Sequence, residues 1–188
     1  MAITSFFKRN WIHFAAIGIF LIVGLVYFGL QLKGYGLKQH DIQQHIGSAN
    51  EIADFRDQNN GQEPLWTNSM FGGMPATQVS LIHEGNWFSK IIVGYMRMLP
   101  SPMGVVILYM LGFYMMLSMM KVNRWVSIAG SLMYAFLSYQ IIILQAGHNS
   151  KAVAVAFMAP VVGAFIMAYR RNWMWGTLLS GLFMSFEI

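Results

Sequence analysis

The sequence predicts an all-α polytopic membrane protein, and three observations predict it. The chain is 56% hydrophobic and only 10% charged, against roughly 25% charged residues in an average soluble domain. Four apolar stretches are long enough to cross a bilayer, and a fifth follows them. The basic residues cluster between these stretches, while six of the seven acids crowd into one long polar segment.

A spanning helix needs about 20 apolar residues, at about 1.5 Å each, to traverse a hydrocarbon core of roughly 30 Å. Residues 11–32, 103–120, 126–144 and 152–169 meet that requirement, and 173–188 is still apolar at its last residue. Residues 1–188 therefore read as a single transmembrane domain, the N-terminal part of a longer protein. The first stretch exceeds the roughly 7–15 apolar residues of a signal-peptide core and has no clear small-x-small cleavage site after it, so it reads as an uncleaved anchor. With no cysteine, neither a disulfide framework nor a thiolate metal site is available. The net charge of +5 does not indicate nucleic-acid binding, because the bases sit at span ends, where they set topology.

Lys8 and Arg9 precede the first span, Lys121 and Arg124 separate the second from the third, and Arg170 and Arg171 separate the fourth from the fifth. These connections alternate correctly for one face, and the positive-inside rule makes that face, with the N-terminus, cytoplasmic. The outer loop 33–102 and the short tie "QAGHNSK" then lie outside. Asp41, Glu51, Asp54, Asp57, Glu63 and Glu84 all fall in that loop.

Within the loop, Ile42, Ile46, Ala49 and Ala53 recur at helical spacing in "DIQQHIGSANEIADFRD", which "NNG" closes. Asp41 followed by Gln44 resembles a capping box at its start. "EPLWTNSMFGGMPATQ" then carries Pro64, Gly72, Gly73 and Pro75, which forbid a long helix. "NWFSKIIVGYMRMLP" sets Trp87, Phe88, Ile91, Ile92 and Tyr95 against Lys90 and Arg97, the pattern of a helix lying in the membrane interface. Pro100 and Pro102 end it. Further on, Ser127, Ser131 and Ala135 recur every fourth residue, as do Ala152, Ala156, Pro160 and Ala164. Small residues so spaced let backbones approach, which predicts close packing of the third and fourth spans.

Few polar residues stand where chemistry can use them. Asp41 and His45 are one helical turn apart. They read either as a helix cap with a surface histidine or as a general base with a neighbouring cation. "AGHNSK" brings His148, Asn149, Ser150 and Lys151 to the start of the fourth span. Free N–H groups there form either an anion site or a turn capped by Asn149 or Ser150, with Lys151 reaching the headgroups. A metal site from Asp41, His45 and His148 would need two separate loops to meet. Glu187 is an ionisable group at membrane depth unless its span ends there. His13 reads as a packing histidine, and the sequence contains no phosphate-binding Gly-rich loop or HExxH.

One span, a large outer loop with an early acid and a surface helix, then closely strung spans: this order resembles the start of the GT-C membrane glycosyltransferases. "GLKQHDIQQHIGSANEIADFR", "GQEPLWTNSMFGGMPATQ", "LQAGHNSKAVAVAFMAP" and "LLSGLFMSFEI" resemble more narrowly the YfhO-like branch found in Bacteroidetes-type bacteria. Asp-x-x-Gln is met at Asp41 to Gln44, Gly-x-x-Pro-x-Trp at Gly61 to Trp66, and Gly-Gly-x-Pro at Gly72 to Pro75.

The resemblance implies a multi-pass protein of the bacterial cytoplasmic (inner) membrane. It would transfer sugar from a polyprenyl-phosphate carrier to an acceptor at the extracytoplasmic face. It also implies that Asp41 is the catalytic base or, as in some branches, a metal ligand. His40 and Ile42 flank Asp41, so no paired-carboxylate motif supports a divalent cation. Lys38, Arg97 and Lys151, with the start of the fourth span, are available to neutralise the departing phosphate. Trp66 is available to stack on a sugar, and Asn68 and Gln78 to bond its hydroxyls, with His45, His148 and Asn149 nearby. Two other readings are a transporter or flippase for a lipid-linked or polar solute, which needs polar residues along several spans where Tyr134, Tyr139, Gln140 and Glu187 are few, and a non-enzymatic envelope scaffold, which requires no outer acid.

Overall fold

The computed structural model describes residues 2–80 and 85–187, with the backbone alone for 2–7. His83 and Glu84 of the long loop and Ile188 of the fifth stretch lie outside the described residues. Among the described residues the regular structure is helical apart from one short two-stranded ladder. In order come α1 (Ala2–Tyr27), α2 (Gly29–Leu32), α3 (His40–Gln58), the strands β1 (Trp66–Thr67) and β2 (Met74–Pro75), and a 3-10 turn, Ala76–Gln78. After them come α4 (Trp87–Met98), α5 (Met103–Met119), α6 (Arg124–Ala135), α7 (Ser138–Ala146), α8 (Asn149–Arg170) and α9 (Trp173–Met184).

Two described helices, Lys8–Tyr27 of α1 and all of α8, are each long and apolar enough to cross a bilayer. Two bent pairs qualify if each counts as one span: α4 with α5, turned by 117°, and α6 with α7, turned by 42°. The first bend matches the expectation at Pro100 and Pro102. The second does not, because the sequence predicts one continuous helix over 126–144. The chain leaves helical geometry at Leu137 (φ −59°, ψ 142°), and α7 starts afresh with its Gln140 buried.

At the centre stands α5, with Tyr109, Met110, Val105 and Val106 essentially inaccessible. It packs most extensively on α8 and next on α6, and α8 is covered in turn by α9. Lipid tails are as apolar as leucine, so tight van der Waals packing between helices has to hold such a bundle together. Glycines supply it. A Cβ at Gly112 would run into the Ala156 carbonyl and meet Pro160 Cδ at 3.2 Å, and one at Gly163 would lie 2.7 Å from Met116 Cα. The small residues of α8 therefore serve contact with α5. The expected direct packing of the third span on the fourth is confined mainly to α7 against α8.

The contacts sort the charges to two ends. Trp11 meets Trp125 edge-on at 6.0 Å, His13 bonds Tyr114, and Arg171 donates to the Met119 carbonyl. Lys8, Arg9, Lys121, Arg124, Arg170 and Arg171 thus share one end. At the other, Tyr27 packs on Phe136, Gln39 bonds the Leu144 carbonyl and Phe186 packs on Phe88 and Phe157. Over its 22 residues, α8 separates the ends by about 33 Å.

Candidate functional site

The long polar segment and the tie before α8 meet at the acid-bearing end. Gly147 closes α7 in the left-handed region (φ 108°). A Cβ there would stand 3.1 Å from Gln39 Cβ and 3.2 Å from the Ile42 nitrogen, so glycine is what lets the start of α3 sit on the tie. Gln39, the extended residue before α3, then locks the contact. Its Nε2 donates to the Leu144 carbonyl and to Asn149 Oδ1 at 3.1 Å, and Asn149 Nδ2 returns a 3.4 Å bond to Gln39 Oε1.

This docking places His148 Nε2 3.1 Å from Asp41 Oδ2, with side-chain exposures of 55% and 41%. Two helix starts converge here, since Asp41 lies in the first turn of α3 and His148 immediately precedes α8. Two sequence expectations are corrected. Asp41 is not the cap of α3: the helix begins one residue earlier, because Gln39 is held extended by the tie, and neither residue caps it. Nor does Asn149 or Ser150 cap α8: His148 occupies the cap position with no side-chain cap bond, and the Asn149 amide faces Gln39.

Beside the pair opens a cleft of about 450 Å³ between α4, the start of α8 and the residues after α9. Arg97, Asn149, Ser150 and Glu187 line it, together with Met96 and Phe186. The cleft therefore offers an apolar wall, one guanidinium and one carboxylate. Lys151 points elsewhere, with its ammonium 5.6 Å from the Tyr139 ring. Lys38 and His45 are exposed near the start of α3. Among the described residues no group of three His, Asp or Glu side chains could hold a metal ion, so His45 does not complete a triad with Asp41 and His148.

The segment 63–78 sits elsewhere, along the later half of α3. Glu51 anchors it: its Oε2 accepts from the Thr67 hydroxyl at 2.6 Å and from the Asn68 N–H at 2.8 Å, while Ser69 Oγ donates to the Ser48 carbonyl. The Thr67 bond, then the Asn68 and Ser69 N–H groups, hold the Glu51 carboxyl below its usual range. Arg56 grips Glu63 with two bonds of 2.8 and 3.0 Å. Trp66 is half-exposed, packs over Gly73 (φ 125°) and donates to Asn68 Oδ1 at 3.3 Å. Ten residues of helix put Glu51 about 15 Å from Asp41 along α3. Trp66, Asn68 and Gln78, the sugar contacts suggested by the resemblance, therefore lie in a lobe along α3 from Asp41. Sequence reasoning missed Glu51, which carried no signal beyond that of a surface acid on a helix.

Compared with protein-family models, curated proteins and solved structures, the chain matches none.

Proposed function

We propose that this chain belongs to a membrane glycosyltransferase of the GT-C, YfhO-like type, using a polyprenyl-phosphate-linked sugar at the extracytoplasmic face of a bacterial inner membrane. One observation carries the proposal: a half-exposed carboxylate, Asp41, is paired with His148, whose chain neighbours Asn149 and Ser150 line a cleft that contains Arg97. His148 engages Oδ2, which leaves Oδ1 for the acceptor proton.

In the reaction, the acceptor hydroxyl oxygen bonds to the anomeric carbon while its proton passes to Asp41. The bond from that carbon to the carrier phosphate oxygen breaks, and its electron pair leaves with the phosphate. Arg97 neutralises the phosphate, which needs charge compensation more than a proton. A single displacement of this kind inverts the anomeric centre. His148 acts as a positioning residue, and Trp66, Asn68 and Gln78 lie outside this step.

The test is Asp41→Asn in reconstituted liposomes supplied with undecaprenyl-phosphate hexoses. Transfer falls by about 10²–10⁴-fold if Asp41 is the base, and a wild-type rate overturns the proposal. A second reading, transport of a polar solute, is favoured by Tyr109 Oη and Gln140 Oε1. Both are buried without hydrogen-bond partners among the described residues, and Gln140 sits just after the α6–α7 break. Transport predicts that Gln140→Leu abolishes uptake while Asp41→Asn leaves it unchanged.

A further inference from the structure

At the basic end a second cleft, of about 360 Å³, opens between α1, α5 and α8. Its wall is made of thioethers, Met115, Met119 and Met167. Its polar groups are the His13–Tyr114 pair, joined at 2.8 Å, Ser118 and Arg171. Arg171 spends one donor on the Met119 carbonyl, and a guanidinium has five. Ser118 Oγ is buried beside Tyr114. Arg124 lies within electrostatic reach of both His13 and Tyr114.

The charge balance here is one-sided. Six bases gather at this end, whereas the six described acids all lie at the other, as do both ion pairs found among the described residues. Exposed aromatics mark the depth: Trp11, Trp125, Tyr169, Trp173 and Trp175, the residue types that settle at headgroup level. An apolar cleft with cations at its mouth, at that depth and lacking protein counter-charge, suits one occupant.

We infer that this cleft binds an anionic phospholipid, its phosphate on Arg171 and the neighbouring bases and the start of an acyl chain along the three methionines. A free phosphate would have no use for the thioether wall. The inference does not depend on glycosyl transfer.

Native mass spectrometry of the full chain in detergent, titrated with phosphatidylglycerol and with phosphatidylcholine, tests it. Phosphatidylglycerol binds preferentially, and Arg171→Gln lowers that preference about fivefold, the value of one base near an anionic surface. Arg170→Gln removes the same charge from outside the cleft and changes the preference less than about twofold. Met167→Trp fills the cleft and abolishes the preference with every charge kept. Unchanged helical circular dichroism qualifies each variant. Equal effects of the two arginine substitutions would reduce the site to diffuse charge and overturn the inference. So would equal binding of the two lipids, or displacement of the lipid by soluble glycerol phosphate.

Discussion

Gly147 decides whether the two halves of the candidate site meet. Any side chain there adopts a left-handed backbone and also presses on Gln39 and Ile42. Gly147→Ala therefore lowers stability by about 1–3 kcal/mol and releases the start of α3, seen as faster amide exchange over 40–44 than over 52–56. Glu51 carries a pH-dependent anchor. Its carboxyl titrates lower in the folded chain than in the unfolded one. The stabilisation is thus complete above the unfolded value and disappears as pH falls through the folded one. Amide exchange at Asn68 and Ser69, corrected for intrinsic rates, accelerates on acidification, and Glu51→Gln removes that dependence. Asp41 and His148 each stood out in the sequence for their chemistry. Their meeting was open in the sequence, because no local spacing connects two residues with α4, α5, α6 and α7 between them.

At the level of elements, α1, α3, α4 and α8 were legible because each announces itself locally. In α3 the run ends at Asn60 and Gly61, both at positive φ, where "NNG" predicts it. In α4, Asn86 caps the Ser89 N–H and prolines follow the last turn. The α6–α7 break was not legible, since "AFLSYQ" contains neither proline nor glycine. The partner of α8 was also hidden: periodic small residues announce a close approach without saying to which helix. Gly112 gives that approach a measurable strength. Gly112→Leu forces α5 from α8 and destabilises the bundle by about 1–3 kcal/mol. Gly18→Leu on α1, with no atom near its added Cβ, changes it little. Unfolding in mixed micelles against denaturant measures both.

For the whole molecule, the separation of charge predicts sidedness. Residues 1–188 contain no cysteine, so single substitutions within them are distinguishable. Gln58→Cys at the end of α3 reacts with an impermeant maleimide added outside intact cells. Arg170→Cys reacts only after the membrane is opened. Labelling of Gln58→Cys only after the membrane is opened would remove Asp41 from the outer face.

The Gln39–Asn149 lock spans 110 residues of sequence, and this has a consequence for biogenesis. A ribosome delivers Asp41 long before it delivers His148, and the helices between them have to be inserted first. Until then the acid has no imidazole and the cleft no floor. The pairing of Asp41 with His148 therefore forms only once residue 148 has emerged and the helices before it are in place.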